Sequence, residues 1–512
     1  MMKRTVLFLL APFLLTSGAV LAQDGNNPVN YSNLALQFSE QSFNGDAGTG
    51  LFPSVASAHG YGSFVDNPAT VGLIEKNYFS FSLANNRYEF ENSYLGNTLS
   101  SEDNSTSLGN IGFVYKLPTK QGSFVIGGGY NSTSNQKGLA HLSARNNEST
   151  ITDQFKDPAS DYYDIAFNAY AIDWGDVDST YLESIFRIGL PNFPGITQEA
   201  DISYKINMGE YSAFFGTEFQ ENLFLGISAG LTTGNYTYRR DFLEVDDQND
   251  YNYNFIPSDT PGDSTDIDNI LTHDEIDADI FGFTVRTGLL YKVSQNFNVG
   301  LSYQIPSTLV VREGYYSSIK TELDDGSTPF ESDFASEVDY EYRINKPGQL
   351  NVGIALIDIG GFDLSVSGEF INYSNLSLDL IKGNDLNFND EVEIRDQEEE
   401  LDSFMKENYN SVVNYKAGLG YQITGLIKLK AGYAFFEGKS EVYEADRNVF
   451  SGGLTANITK NIVLDLTGQY SFWDDRSVAY SYYDFDTGQN RAETISHDIT
   501  NTRILAGVRF LF

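Results

Sequence analysis

The sequence predicts an all-β protein, a large antiparallel β-barrel that spans a membrane. Three observations predict it. Long segments alternate strictly between apolar and polar residues. The connections between them alternate between tight turns and long polar stretches. The chain closes on an aromatic strand, "GVRFLF", that runs from Gly507 to a terminal Phe512.

The alternation is clearest in three places. Over 280–294, Phe281, Phe283, Val285, Leu289, Tyr291 and Val293 share one face, opposite Gly282, Thr284, Arg286, Gly288, Lys292 and Ser294. Over 297–305, Phe297, Val299, Leu301, Tyr303 and Ile305 oppose Asn298, Gly300, Ser302 and Gln304. Over 462–472, Ile462, Leu464, Leu466, Tyr470 and Phe472 oppose Asp465, Thr467, Gln469 and Ser471. A period of two is the period of a strand. A soluble β-sandwich also alternates, but its strands are typically about 5–6 residues long, whereas these often pass ten.

Strands are expected near 78–94, 108–117, 122–133, 199–219, 222–243, 276–294, 297–315, 334–357, 361–377, 410–423, 426–442, 445–459, 462–482 and 492–512. The segments at 199–219 and 334–357 alternate weakly. "SQN" at 294–296, "TGL" at 424–426 and "TKN" at 459–461 are tight turns, whereas 134–198, 244–275 and 375–409 are long and polar. Short turns on one side and long loops on the other are the asymmetry of an outer-membrane barrel. An even strand count returns both barrel ends to the periplasmic side. Within the last long loop, "EELDSFMK" at 399–406 has the composition of a short helix.

Composition agrees. Aromatics reach 14%, with 33 Tyr, 37 Phe and 46 Gly, and mean hydropathy is −0.29, which leaves no room for spanning helices. Aromatics and glycine in repeated alternation suit aromatic girdles on a barrel wall. The net charge of −38 argues against a nucleic-acid partner. There is no Cys, hence no disulfide, no thiol chemistry and no lipoprotein anchor. Residues 1–22 have the form of a secretory signal peptide: Lys3 and Arg4, an apolar run from Val6 to Leu15, then Val20-Leu21-Ala22 before Gln23.

Between the signal peptide and the first strand lie residues 23–77. They carry few large apolar residues and many small ones, among them Gly45, Ala47, Gly48, Gly50, Ala56, Ala58, Gly60 and Gly62. Such a segment is either a tail or packs inside something already built. A barrel of this size has a lumen too wide for wall side chains to fill. Asn67-Pro68-Ala69 reads as a fixed corner before the first strand, since Pro68 lacks an amide donor and turns Asn67 away from helix.

In that context the stretch "ALQFSEQSFNGDAGTGLFPSVASAHGYGSFVDNPATVGLIEKNYFSFSLA" resembles the N-terminus of the FadL family, outer-membrane channels for long-chain fatty acids and other hydrophobic compounds, and looks especially like Bacteroidetes-type members. The resemblance covers this stretch and the C-terminal strand; the middle matches in rhythm only. It implies about fourteen strands around an N-terminal hatch segment, residues 23–77, that plugs the lumen of a barrel formed by 78–512. Asn67, Pro68 and Ala69 map to the family's hatch motif. A ligand captured at the loops would reach a pocket by the hatch and leave sideways at the third strand. There Gly127, Gly128 and Gly129 are the expected lateral gate, because three glycines weaken a ladder and permit a bend. The implied partners are membrane lipid, a hydrophobic small molecule, and the barrel-insertion machinery that reads a C-terminal strand ending in Phe512. The implied form is a monomer in the bacterial outer membrane, without cofactor or metal. The alternative is a structural or general-diffusion barrel without a specific ligand.

Opposite the apolar faces lie Lys116, Arg286, Lys292, Lys428, Lys430 and Arg509. They are expected to face the lumen. Arg286, Lys292, Lys428 and Lys430 are candidates to hold a ligand carboxylate; mutual neutralisation with Asp363, Glu369 and Asp465 is the plainer expectation. The acidic excess gathers in "EVDDQND" (244–250), "DSTDIDN" (263–269), "DEIDAD" (274–279) and "DQEEELD" (396–402), without EF-hand spacing, and is expected in solvated loops. No Walker-type loop is present. Asp474-Asp475 with His497-Asp498 brackets the last extracellular loop, as in omptin-type proteases, but nothing else in the chain resembles them. His141 and His273 are expected in loops and His59 in the hatch. An enzyme is not predicted.

Overall fold

A computed structural model describes residues 30–512, apart from 42, 157–161, 177, 337–339, 381–387, 441 and 485–486. The predicted signal peptide and residues 23–29 of the predicted hatch lie outside the described residues.

Fourteen antiparallel wall strands form one closed sheet. They are β1 (Tyr78–Tyr94), β2 (Asn97–Leu117), β3 (Phe124–Asn146), β4 (Ile196–Gln220), β5 (Leu223–Val245), β6 (Ile267–Lys292), β7 (Phe297–Gln304 and Ser307–Leu323), β8 (Tyr340–Lys346 and Gln349–Ile359), β9 (Phe362–Asn372), β10 (Ser411–Gln422), β11 (Ile427–Phe436), β12 (Arg447–Asn457), β13 (Ile462–Asp484) and β14 (Gln489–Leu511). β14 returns to β1, from Tyr78 opposite Leu511 to Ser93 opposite Ser496, so the sheet has no free edge. β7 and β8 each break once, at Pro306 and Pro347. Neither residue has an amide to donate, and the neighbouring register places the two breaks side by side: Gln304 faces Gln349 and Ser307 faces Lys346. That interruption is why 334–357 alternates weakly.

Several strands run well past their expected ends. β2 begins at Asn97, β3 continues to Asn146 and β6 begins at Ile267. The loop expected at 134–198 therefore shrinks to 147–195, and that at 244–275 to 246–266. The reason is an inversion in the phase of alternation. In the lower part of β6, Phe281, Phe283, Leu289 and Tyr291 point outward and are exposed. Above Phe281 the outward residues become Asp279, Asp277, Glu275 and His273, while Ile280, Ile276 and Ile270 are buried inside. β4 inverts likewise, from outward Phe219, Phe215 and Tyr211 to outward Lys205, Asp201 and Glu199 over buried Ile206, Ala200 and Ile196. Exposed apolar residues in a continuous belt mark lipid contact. From Tyr291 to Phe281 a tilted strand rises about 25 Å, one apolar band of an outer membrane. Above that band the wall is a water-exposed barrel with an apolar inside.

This upper half holds residues expected in loops. His141 and His273 lie on outward strand faces, in one lateral row with Asp201 and Asp241 between them. Of the acidic runs, Glu244 and Asp274 are not solvated but fully buried inside the wall. Asp274 accepts from the equally buried Arg240 at 2.7 Å.

The interior is filled along its height. The described residues of 147–195 fold into the mouth as a cap, with helix α3 (Tyr162–Asn168; α1 and α2 follow below) and buried Phe155, Tyr162, Ile165 and Phe186 packed near the wall residues Phe242 and Tyr480. The predicted helix at 399–406 is part of a longer one, α4 (Phe388–Asn408). Below the cap lies α1 (Tyr31–Ser39), started by Asn30, whose Oδ1 accepts from the amides of Ser32 (2.9 Å) and Asn33 (3.2 Å). Lower still, residues 43–73, including α2 (Ser63–Asp66) and a 3₁₀ turn over Pro68–Leu73, meet β2, β4–β8, β10, β11 and β14. A single segment that touches strands all round a closed barrel lies inside it.

A candidate ligand channel

The Asn67-Pro68-Ala69 corner is set by its own chemistry. Asn67 is fully buried, and its Oδ1 accepts from the Ala69 amide at 2.9 Å. Its Nδ2 donates to the Val55 carbonyl at 2.7 Å and to the Leu289 carbonyl of β6 at 3.1 Å. Pro68 opens the 3₁₀ turn, where no amide is needed. The corner rests on glycines: Gly216, Gly226 and Gly288 face one another across β4, β5 and β6. A Cβ at Gly226 would come within 2.3 Å of the Pro68 and Ala69 backbone, and one at Gly288 within 1.9 Å of Asn67 Oδ1. The paired Gly300 and Gly353 make the same room for Val55 on β7 and β8. Much of the glycine content thus lets the backbone of this segment approach the wall.

The ladder between β2 and β3 is incomplete. β2 and β3 pair only from Leu117–Phe124 up to Asn110–Asn131, although both strands continue above. There β3 carries a bulge against β4, between Ser132 and Ser134. The N-terminal segment occupies the break: the Phe43 amide donates to the Thr133 carbonyl at 3.2 Å and the Gly45 amide to the Ser132 carbonyl at 3.0 Å. Gly45 and Gly109 of β2 meet backbone to backbone, each in the place of the other's missing side chain. Higher up, side chains replace the ladder. Tyr88, Asn92, Ser101 and Asn97 donate to the carbonyls of Asn135, Leu139 and Ser143 at 2.7–3.1 Å.

Gly127, Gly128 and Gly129 lie just below this break. Each is paired with β2 (Val114, Phe113, Gly112) and with β4 (Phe214, Ala213, Ser212). Gly127 gives space to the Phe214 ring, and Gly129 has φ 147°. The ladder opens two residues further on.

Two adjoining cavities lie between α1 and the wall. The upper, of about 100 Å³, is lined by Leu34, Phe90, Leu139, Tyr236, Tyr238 and Ile499 among others. The lower, of about 50 Å³, is lined by Leu36, Leu51, Trp473, Gln469 and Arg503 among others. Asn33, Gln37, Tyr204 and Asp475 border both. Asp475 has no ion-pair partner among the described residues; burial, with Glu444 nearby, pushes its carboxyl up toward the neutral form.

The four predicted carboxylate-binding cations have other occupations. Arg286 grips Glu210 with both Nη atoms at 2.8 Å, and its Nε donates to Gln304 at 2.9 Å. Lys428 pairs with Asp363. Lys430 donates to the Gly48 carbonyl at 2.6 Å and lies over the Phe52 ring. Lys292 lies over Phe224 near the short turns. Arg509 holds Asp465 through two bonds of 2.7 and 2.9 Å, as neutralisation predicts, whereas Glu369 takes neutral partners, Gln349 and Asn414. None of the four lines either cavity. Arg503 does, and sequence reasoning passed over it, although its place on the inward face of β14 was readable from the alternation.

The rim quartet divides. Asp474 and Asp498 point outward, Asp475 and His497 inward, because successive side chains alternate. The His497 ring bonds Ser477 Oγ at 2.7 Å and Asn92 Oδ1 at 2.8 Å, not a carboxylate.

Residues 195–510, well over half of the chain, match the family model described as outer membrane protein transport protein (OMPP1/FadL/TodX). Among solved structures the chain is similar to the Pseudomonas putida toluene transporter TodX (12% identity, TM-score 0.48, 90% of this chain and 95% of that one). It is similar also to the Ralstonia pickettii toluene transporter TbuX (15%, 0.45, 91% and 97%) and to a Pseudomonas aeruginosa FadL homologue (11%, 0.47, 90% and 95%). No curated protein matches it.

Proposed function

This chain belongs to the outer membrane transport protein family OMPP1/FadL/TodX, whose members are transport channels rather than enzymes, and on that premise we propose that it takes up long-chain fatty acids or other hydrophobic compounds passively across the bacterial outer membrane. The ligand enters between the cap and α1, rests in the aromatic upper cavity and the lower cavity beside the hatch, and leaves sideways between β2 and β3. The observation that carries this reading is the ladder break above Asn110 and Asn131, where the Phe43 and Gly45 amides of the hatch bond the β3 carbonyls in place of β2. It lies beside Leu108 and Ile111, which are exposed on the lipid side of β2, so the opening meets the apolar band. The physics favours a sideways path. Each CH₂ prefers an apolar site to water by about 0.8 kcal/mol, so a water-filled pore is a poor route for an alkyl chain. A lumen packed with protein from the short-turn end upward also argues against general diffusion. The three glycines are proposed as the pivot below the opening, where the strand leaves its ladder, rather than as the opening.

The test is uptake of a radiolabelled long-chain fatty acid by cells that lack their own transporter. Asn131→Trp, which fills the break, is compared with the intact protein at equal surface levels of folded barrel. Uptake that falls at least tenfold in the variant supports lateral exit. Uptake unchanged by the variant removes the lateral route and leaves transport. No uptake by the intact, folded protein removes this solute.

A further inference from the structure

The acidic runs at 244–250 and 263–269 meet at the upper rim, where the fold sorts their carboxylates. Asp247 and Asp250 share Arg145, at 2.9 and 3.2 Å. Asp259 accepts from the Thr328 amide at 2.9 Å, and Asp325 from Ser258 Oγ at 2.7 Å and the Ser327 amide at 2.9 Å. Three others meet no cation among the described residues, and they lie together. They stand at the ends of three neighbouring wall strands: Asp246 just after β5, Asp266 just before β6 and Asp324 just after β7. The main chain ties these ends, since the Asp246 amide donates to the Asp268 carbonyl at 2.9 Å and the Asp324 amide to the Asp266 carbonyl at 3.2 Å.

Asp266 is the decisive one. It is 7% exposed, and no other residue donates to its carboxylate among the described residues. The charges it faces are those of Asp324, Asp246 and Asp325, all of its own sign. Asp246, also 7% exposed, accepts from the Asp250 and Tyr251 amides at 2.9 Å, and it too faces acids alone, Asp250 and Asp324. Burial, reinforced by these neighbours, pushes both carboxyls up from the ordinary range. A buried carboxylate without a donor, surrounded by its own sign, is costly unless a cation joins it. A donor set of oxygens alone, without His or Cys, suits a hard cation.

We infer that Asp266, with Asp246 and Asp324, is a Ca²⁺ site on the extracellular rim. Like charges stand apart, and among the described residues no three acidic groups close to ligating distance of one point. Asp324 is exposed and held by Asn249 Nδ2 at 3.3 Å, so its side chain turns inward at little cost. Ca²⁺ accepts irregular oxygen sets completed by water, whereas Mg²⁺ demands a near-ideal octahedron, so a set that closes on binding favours Ca²⁺. The site has a mechanical neighbour. Asp246 receives the Tyr251 amide, and Tyr251 reaches the cap: its ring lies 4.9 Å from that of Phe186, and its hydroxyl donates to the Gly195 carbonyl at 3.1 Å. An ion on Asp246 therefore steadies the loop that seats the cap, whatever solute the channel carries.

The experiment is calorimetric titration of the folded full-length protein, stripped of divalent ions, with CaCl₂ and with MgCl₂ near neutral pH. The expected result is one saturable Ca²⁺ site with a Kd of about 0.1–1 mM, the range of extracellular sites, and Mg²⁺ at least tenfold weaker. Asp266→Asn is expected to weaken Ca²⁺ binding at least tenfold. Asp263→Asn, which removes an equal charge from an exposed position nearby, is expected to change it less than twofold. Asp266→Asn also removes repulsion, so without Ca²⁺ it is expected to melt no lower than the parent, and with Ca²⁺ to gain nothing where the parent gains. If Asp266→Asn does not fold, the exposed Asp324→Asn takes its place, with at least a fivefold weakening expected. No saturable Ca²⁺ binding by the parent, or equal losses in the 266 and 263 variants, overturns the inference and leaves the transport reading intact. Equal affinity for Mg²⁺ overturns the assignment to Ca²⁺.

Discussion

Glu244 ties the cap to the wall through an unusual bond set. The carboxylate is fully buried above the lipid band, at the top of β5. It accepts from the Ile151 amide at 2.8 Å, from Gln198 Nε2 at 2.7 Å and from the Thr150 hydroxyl, and no cation faces it among the described residues. Burial outweighs these bonds and pushes its carboxyl up from an ordinary 4.5 to about 7. With the cap undocked the group is wet and returns toward its ordinary value. Docking therefore takes up a proton between these two values, and the cap is held most firmly below pH 4.5 and progressively less as pH rises toward 7. A difference of about 2.5 units at 1.36 kcal/mol each is about 3 kcal/mol, an upper bound for the docking free energy lost across that window. The assay is hydrogen exchange at the Ile151 amide, which donates to this carboxylate, as a protection factor corrected for intrinsic pH dependence. Between pH 5 and pH 8 protection is expected to fall up to about 100-fold in the parent protein. Glu244→Gln keeps an oxygen for Ile151 and Gln198 and cannot ionise, so its protection is expected to be nearly flat. Equal pH profiles for parent and variant would refute the reasoning.

Two further outcomes test the lower half. Gly288→Ala sets a methyl group 1.9 Å from Asn67 Oδ1 and is expected to destabilise the barrel by about 1–3 kcal/mol, read as a lower melting temperature of the heat-modifiable folded band; Gly452→Ala, with nothing within 4 Å of the new carbon, is expected to change nothing. Arg286→Met leaves the buried Glu210 without its partner, and a loss of about 3–5 kcal/mol is expected in urea unfolding, partly recovered in Arg286→Met/Glu210→Gln; no loss in the single variant would mean that the pair is not structural.

The lipid-facing wall was legible from the residues alone. Period two with apolar residues outward is a local property, forced by strand geometry and by hydrocarbon against one face. It gave the lower strands, the short turns and the lumen side of Arg286, Lys428 and Arg509. It also held the membrane surface, as the step from Ile280 inward to Phe281 outward, though the run of acids beside it passed for a loop. Asn67-Pro68-Ala69 was legible as a corner because Asn and Pro restrict their own backbones. The rest depends on contacts between residues far apart in the chain. The Gly216, Gly226 and Gly288 seat exists because three strands meet in one register. The break between β2 and β3 lies above the glycine run because β3 bulges at Ser132–Ser134, where residues of ordinary strand character show no local sign of it. Which lumen cation meets a carboxylate is a question of partners. Arg286 and Arg503 look alike in sequence, and the fold sets a carboxylate against the first and leaves the second facing a cavity.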